Sequence, residues 1–448
     1  MNPCLEPAFP PRRGGWTFRV LLTGATGFIG SAVAAALASE GHSIIATGRR
    51  GGAPARALLA DGWASVDLAR AVRPEDWAPH LVGVDAVVNC AGILQDSPND
   101  STKATHADGP AALFEACERA GIRRVIHLSA IGVDVAQPTA FSRTKLAGES
   151  ALRERDLDWV ILRPSVVLGR AAYGGGALMR GLAALPILPV MPGGGPLQVV
   201  QLDDLVRTFL FFLAPGAPGK IALDVAGPER LSFTDIVVAY RRWLGFTPAR
   251  RLNVPDWLAG LAYRAGDIGG WLGWRPPVRS TAQAELKRGA VGDPGPWSQA
   301  TGIAPASLRA ALAAEPASVQ ERWFAQLYFL KPLGFAIFVA FWIGTGVISL
   351  TIGWNIGKRL MFDGGVADPL ASIVVVAGAL ADIAIGLLIA WRRTTCLGLY
   401  AALAISVAYT IIGSAMLPQL WSEPLGPMLK IWPILAFNLM LLAILRDR

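Results

Sequence analysis

The most constraining feature of this sequence is a change of character part-way along it. Up to about residue 325 charged and apolar residues are mixed at ordinary density. From about Leu330 onward the chain is mostly long apolar runs, at about Leu333–Gly353, Ala371–Trp391, Leu397–Leu417 and Met428–Leu445. Each is close to the ~20 residues that carry an α-helix across roughly 30 Å of hydrocarbon. A span in lipid must satisfy its own backbone polar groups, which leaves a helix as the outcome. The reading is four transmembrane helices, and the composition step places a boundary near Pro316–Lys331. The fourth run is the weakest, because Lys430 and Pro433 stand near its start.

Lys and Arg flanking such spans set their orientation. With the N-terminal part on the cytoplasmic side, Arg322, Lys331, Arg392, Arg393, Arg446 and Arg448 lie inside, and Lys358, Arg359 and Lys430 outside. The expectation is a multi-pass protein of the cytoplasmic (inner) membrane whose soluble domain faces the cytoplasm. Trp323, Phe324, Leu327, Tyr328 and Leu330 read as an interfacial segment before the first span. Asp382, Asn438, Tyr409 and Thr410 lie within spans. A carboxyl at that depth is costly, so Asp382 should face the bundle and find partners. Two readings stand: a structural hydrogen bond across helices, or a site for a proton or quinone headgroup.

The net charge of +8 is spread out or flanks apolar runs. No basic face of the kind that binds nucleic acid is gathered, and no nucleic-acid partner is expected. Cys4, Cys90, Cys117 and Cys396 lie far apart, so neither a disulfide framework nor a metal site is expected. Met1–Trp16 has prolines and Arg12-Arg13 but no apolar stretch of the signal-peptide kind. It reads as a disordered leader.

Between Phe18 and Arg163 short apolar strands alternate with helical stretches. Strands are expected at Phe18–Thr23, Ser43–Thr47, Trp63–Val66, Asp85–Cys90, Arg124–Leu128 and Trp159–Arg163. Helices are expected at Phe28–Ala38, Ala53–Ala60, Ala107–Ala120 and Ser142–Arg155. Most strands are apolar on both faces, which predicts an α/β fold with a doubly wound parallel (Rossmann) sheet covered on both sides. Residues 171–319 are less regular, with helices near Phe233–Leu244 and Ala282–Arg288, and read as a small substrate lobe.

Thr23-Gly-Ala-Thr-Gly-Phe-Ile-Gly30 sits where the first strand turns into a helix. Gly24 permits the tight turn, Gly27 lets backbone approach a pyrophosphate, and Gly30 lets helix pack on strand. Thr26, Phe28 and Ile29 complete this cradle, with free helix N-terminal amides facing the phosphates. An acid ending the second strand would bond the ribose of NAD. Here Thr47-Gly-Arg-Arg50 has none, and Arg49 and Arg50 are placed to pair with a 2′-phosphate. NADP(H) is therefore preferred over NAD(H). Asp67 after the third strand either accepts from the adenine amino group or caps a strand end.

These elements resemble an extended or atypical short-chain dehydrogenase/reductase. The closest group includes the NADPH-binding accessory subunit of respiratory NADH dehydrogenase. The matching residues are Thr23–Gly30, Asp67-Leu68, Asn89-Cys-Ala91-Gly92, His127-Leu-Ser129-Ala130, Lys145 and Arg163-Pro164. The resemblance implies a serine at Ser129, a ribose-binding lysine at Lys145, and Leu68, Ala91, Gly92 and Pro164 beside the cofactor. It also implies a proton-transferring tyrosine four residues before Lys145, where this chain has Phe141. Phenylalanine cannot serve as an acid or base. Three readings stand: Tyr173 or Ser142 substitutes, water supplies the proton, or the site binds cofactor without turnover. The C-terminal runs look like the DoxX-like family of four-helix membrane proteins.

Residues 17–319 are thus expected to form a membrane-anchored NAD(P)(H)-binding oxidoreductase domain, and 320–448 the membrane domain. The substrate is expected to be a small or lipid-soluble carbonyl or quinone-like compound, with the partner in or on the membrane: a quinone or lipid-linked substrate entering near Leu182–Val190. The alternative is a catalytically inert NADPH-binding subunit or assembly factor of a membrane complex.

Overall fold

The computed structural model describes residues 16–48, 59–98, 100–191, 193–424 and 426–445. Arg49, Arg50, Arg446, Arg448, the leader before Trp16 and most of the expected helix Ala53–Ala60 lie outside them. The chain forms two compact units. One comprises the residues up to Asp267 with Pro277–Arg322; the other comprises Ile268–Pro276 with Trp323–Arg448.

In the first unit, strands β1 (Arg19–Thr23), β2 (Ser43–Thr47), β3 (Gly62–Ala64), β4 (Ala86–Asn89), β5 (Arg124–Leu128) and β6 (Asp158–Pro164) join a seven-stranded sheet. Its order is β3-β2-β1-β4-β5-β6-β10, with β10 at Ile221–Val225, and each adjacent pair is parallel. The order reverses between β1 and β4, where Thr23 pairs with Asn89. In such sheets the crevice beyond the carboxyl ends at that reversal is the ligand site.

Alternation along β1 explains the two-sided core. Val20 and Leu22 face one side and Leu21 the other, all fully buried. The first side packs against helix α1 (Phe28–Ser39) through Val33 and Leu37. The opposite side packs against α2 (Gly109–Arg119) through Leu113 and Phe114, and against Leu152 of α3 (Ala140–Arg153). A π-type turn at Ala104–Asp108 precedes α2.

Not all of residues 171–319 stand apart as a lobe. After β7 (Val166–Leu168), α4 (Gly174–Ala183), β8 (Ile187–Val190) and β9 (Leu197–Gln201), helix α5 (Leu202–Leu213) returns to the main core. Its Leu205, Phe209 and Phe212 pack in the same cluster as α1, and β10 completes the main sheet. The remaining pieces are two small sheets: β7-β9 with β11 (Arg230–Leu231), and β8 with β12 (Arg250–Asn253). Helices α6 (Phe233–Trp243), α7 (Asp256–Trp271), α8 (Ser280–Arg288), α9 (Gly295–Thr301) and α10 (Leu308–Ala314) follow. Leu188 is buried and Ile187 is 49% exposed, so the expected apolar entrance at Leu182–Val190 is divided between interior and surface.

The second unit is helical: α11 (Val319–Leu350), α12 (Trp354–Asp363), α13 (Leu370–Ala390), α14 (Thr395–Met416) and α15 (Ile431–Leu445). Among the described residues three helices, α11, α13 and α14, are long and apolar enough to cross a membrane. The fourth expected run forms a shorter apolar helix. Met428–Lys430 forms a turn, and α15 has 15 residues, about 22 Å at 1.5 Å per residue. The segment read as interfacial, Trp323–Leu330, lies in the continuous start of α11, which runs through Pro332. A short helix, α12, intervenes between the first two spans and has no counterpart in the sequence reading. All four longer apolar helices share one core, through Phe338 and Trp342, Ile385 and Ile389, Leu399 and Ala402, and Leu441. Asp382 is 8% exposed and accepts from Tyr409 Oη at 3.2 Å and from Thr345 Oγ1 at 3.4 Å. Asn438 donates to the Leu399 carbonyl at 3.0 Å.

Candidate nucleotide and active site

The glycine turn closes with Gly27 N–H donating to the Gly24 carbonyl at 2.9 Å. Gly24 has φ of +69°, and a Cβ there would meet the Ala91 amide at 2.8 Å. At Gly30 a Cβ would fall 2.2 Å from the Gly24 carbonyl oxygen, so both positions exclude any larger residue. Gly27 differs: a Cβ there would meet only Gly24 O, at 3.2 Å. The space on its outer side is open, as the approach of a diphosphate requires. Gly27 is also the N-cap of α1, and no side chain caps the helix. Its leading amides are uncommitted donors with the helix dipole behind them, a ready anion site. Tyr173, the N-cap of α4, stacks on Phe28 at the start of α1.

The ends of β4 and β5 bring together the next group. Asn89 Oδ1 accepts from Thr23 Oγ1 at 2.5 Å and from the Ala91 amide at 3.2 Å. That bond from a backbone N–H fixes the amide orientation, so Asn89 Nδ2 donates to His127 Nδ1 at 3.1 Å. His127 is fully buried, and burial holds its pKa well below the ordinary range. Ser129, just past β5, is 4% exposed, and its Oγ has no hydrogen-bond partner among the described residues. A buried orphan hydroxyl is uncommon in a folded protein and fits a site that a ligand completes.

Lys145 projects from α3 into this group, 4% exposed. Its ammonium donates to the Leu128 carbonyl at 2.8 Å and lies 3.5 Å from the Ala91 carbonyl. A Cβ on Gly92 would lie 3.4 Å from Lys145 Nζ. Burial lowers the Lys145 pKa to about 8, against the raising effects of Cys90 and Glu149. Glu149, one turn along α3, is fully buried and bidentate with Arg163, at 2.9 and 2.6 Å. This pair locks α3 to β6, where Pro164 ends the strand. Pro164 O accepts from the Ile131 amide at 3.0 Å.

Phe141 stands on the same helix, edge-to-face with His106 at 5.5 Å and 85°. His106 comes from the π-type turn, is 1% exposed, and accepts from the Ile93 amide through Nε2 at 3.0 Å. Its Nδ1–H therefore donates to Thr144 Oγ1 at 2.9 Å. Burial, reinforced by Lys145 and His127, lowers its pKa to about 2, so the ring is neutral. The sequence reading missed His106. A lone histidine carries no local signal, and only folding sets it against Phe141.

Ser142 is not free for proton transfer. Its hydroxyl serves the capping box of α3 and donates to Glu285 at 2.9 Å. Asp67 Oδ1 accepts from the Ala69 amide at 3.1 Å, the local capping bond, and its other oxygen lies 3.6 Å from Arg70. Leu68 is buried beneath Gly109, where a Cβ would collide with the Leu68 carbonyl at 1.9 Å. The site thus gathers Gly24–Gly30, Ala91, Gly92, Ser129, Lys145 and Pro164 around the carboxyl ends of β1, β4, β5 and β6.

Residues 24–181 match the NAD(P)H-binding family, and residues 339–439 match the DoxX-like family. The first unit is an NAD(P)-binding Rossmann domain. The chain is similar to the ceramide reductase of Caulobacter vibrioides, 24% identical over 237 residues, which is 53% of this chain and 74% of that protein. It is also similar to the 3-diazoavenalumate denitrifying reductase of a Streptomyces species, 29% identical over 307 residues, 61% of this chain and 92% of that one. Among solved structures, the Bordetella bronchiseptica enzyme WbmG in complex with NAD superposes with a TM-score of 0.53 at 17% identity. That likeness covers 68% of this chain and 94% of WbmG and shows the fold. The DoxX-like match falls on the helical unit, which carries the long apolar helices.

Proposed function

We propose that the protein is a membrane-anchored, NADP(H)-preferring reductase of a lipid-soluble carbonyl or quinone-like substrate. The observation that carries this reading is the buried Lys145 ammonium on the Leu128 carbonyl, next in sequence to the unpartnered Ser129 hydroxyl, together with an uncapped glycine turn. An ammonium has three donors. Lys145 directs two at the Leu128 and Ala91 carbonyls, leaving the third for a ribose hydroxyl. Residues 17–319 are the catalytic part and 320–448 the anchor.

When bound, the dinucleotide supplies a hydride to the carbonyl carbon. Ser129 Oγ donates a hydrogen bond to the carbonyl oxygen and stabilises the charge that develops there. Phe141 cannot supply the proton, so it comes from water or from Tyr173. Arg49 and Arg50 would pair with the 2′-phosphate, Asp67 would accept from the adenine amino group, and Leu68 would lie beside the cofactor. A lipid substrate fits the apolar helices of the anchor and the similarity to a protein named for reducing ceramide. The flanking Lys and Arg support an inner-membrane protein with the Rossmann domain on the cytoplasmic side.

The test is turnover in liposomes: NADPH oxidation with a panel of lipid-soluble carbonyls and quinones, abolished in Lys145→Ala. Arg49→Ala with Arg50→Ala should then narrow the preference for NADPH over NADH. Phe141 favours a second reading, an inert NADPH-binding subunit of a membrane complex. Tight NADPH binding with no consumption by any acceptor would establish that instead.

A further inference from the structure

The helical unit holds a cavity of about 180 Å³. Phe341, Trp342 and Thr345 line it from α11, Asp382 from α13, and Ser406 and Tyr409 from α14. Asp382 is the thirteenth of the 21 residues of α13. The cavity therefore lies near the middle of a helix long enough to cross a bilayer. A carboxyl at that depth is costly unless partners surround it.

The hydrogen bonding around the cavity is incomplete. An ionised carboxyl offers about four lone-pair sites. Tyr409 Oη fills one of those on Asp382, at 3.2 Å. Thr345 has a single hydroxyl hydrogen, and its Oγ1 lies 3.4 Å from Asp382 Oδ2 but 3.0 Å from the Trp342 carbonyl oxygen. The nearer acceptor takes the larger share, and Asp382 keeps room for another donor. Trp342 is 3% exposed, and its Nε1 donor has no partner among the described residues. Unpaired donors at such burial are rare, because nothing repays their lost hydration. The lining thus calls for an acceptor at Trp342 and a donor at Asp382.

The apolar walls set the shape of what supplies them. The rings of Phe341 and Trp342 stand edge-to-face, 5.5 Å apart at 79°, and Tyr409 adds a third ring to the lining. Aromatic walls of this kind hold a flat ring by offset stacking and edge contacts. The size agrees: a dry cavity of about 150 Å³ holds benzene, and this one leaves room for a substituent. A quinone carbonyl would satisfy Trp342 but brings no donor for Asp382. An alkyl ammonium would satisfy Asp382 but brings no acceptor for Trp342. A phenol hydroxyl offers both a hydrogen and oxygen lone pairs.

We infer that the helical unit binds a phenol-type headgroup, a hydroxylated aromatic ring carried on a lipid tail, whose hydroxyl donates to Asp382 and whose oxygen accepts from Trp342 Nε1. The tail follows from the depth, since a ligand reaches the middle of a span through hydrocarbon. The inference goes beyond the reductase reading and uses the helical unit alone. Its assay contains no dinucleotide, so its failure and the failure of that reading are distinguishable.

Full-length protein in phosphatidylcholine nanodiscs is titrated with 4-fluorophenol and followed by fluorine NMR, with empty nanodiscs subtracting partition into lipid. Saturable binding is expected. 4-Fluoroanisole keeps the ring and the oxygen but lacks the hydroxyl hydrogen, and should bind about tenfold more weakly. Equal binding of the two, or saturable binding of neither, overturns the inference without recourse to any variant. Asp382→Asn and Trp342→Phe, each with Tm checked, should weaken 4-fluorophenol by about tenfold and about fivefold. Unchanged affinity in both puts the ring elsewhere and also overturns it. Finally, 4-decylphenol should displace 4-fluorophenol. Failure to displace means that the cavity takes only a free small phenol, and refutes the lipid-borne ligand.

Discussion

The rings of Phe28 and Tyr173 lie face to face, with centroids 5.7 Å apart and planes 3° apart. Phe28 is the first residue of α1, and Tyr173 precedes α4. The stack therefore ties the glycine-rich loop of the substrate side to the phosphate end of the nucleotide crevice. Such a pair contributes about 1 kcal/mol beyond area burial. Tyr173→Phe keeps the stack and should retain NADPH affinity, whereas Tyr173→Ala should weaken it about fivefold. A dinucleotide titration checks both. Loss of turnover in Tyr173→Phe alone would assign the proton to its hydroxyl.

The three glycines of the turn should respond differently to alanine. Gly30→Ala forces a methyl to 2.2 Å from a backbone oxygen and should prevent stable folding of the domain. Gly27→Ala meets one atom at 3.2 Å and should fold, while its methyl obstructs the diphosphate. About a tenfold loss of affinity, near 1.4 kcal/mol, is expected. Thermal unfolding and nucleotide titration of the two variants separate the effects.

Lys145 predicts a pH signature. Its pKa falls from the ordinary 10.5 to about 8 in the folded protein, chiefly through burial. Between those values the unfolded chain holds more protons than the folded one, so this group makes stability rise with pH across that window. Below about 8 the cost of a buried ammonium is present in full. Lys145→Met lacks this dependence. The Tm of the native protein minus that of the variant should therefore increase from pH 7.5 to pH 10, and a flat or falling difference would refute the buried charge.

Restoring the missing acid tests the reductase reading. Phe141→Tyr adds a hydroxyl on the helix that carries Lys145, at the edge of the His106 ring. Positioned acid–base groups contribute about 10²–10⁴-fold, so turnover with a carbonyl acceptor should rise. Unchanged turnover would mean that the proton already arrives by another route.

The Glu149–Arg163 pair is a structural lock. Arg163→Met leaves a fully buried carboxylate without its bidentate partner, at a cost of about 3–5 kcal/mol. The double variant with Glu149→Leu should recover most of the loss. Thermal unfolding in detergent measures both.

Much of this was legible beforehand. Ser43–Thr47 and Arg124–Leu128 are strands at the expected bounds, because β-branched and apolar residues bounded by turn signals leave few alternatives. The strand–glycine turn–helix unit was equally plain, since only glycine tolerates the close approaches at 24 and 30. By contrast β10, Ile-Ala-Leu-Asp-Val, is too short and mixed to announce itself, and only pairing with β6 makes it part of the main sheet. The fourth apolar run read as a span by composition, yet the turn at Met428–Lys430 shortens its helix.

Local pattern by itself determined the nucleotide cradle and the apolar anchor, because both depend on residues adjacent in sequence: three glycines at fixed spacing, and unbroken runs of apolar side chains. Only the tertiary structure decided that Ser129 keeps an orphan hydroxyl, that Ser142 is consumed by Glu285, and that His106 stands against Phe141. Each of these depends on segments far apart in the chain meeting at one place, and pairwise proximity of that kind leaves no periodicity for a sequence to display.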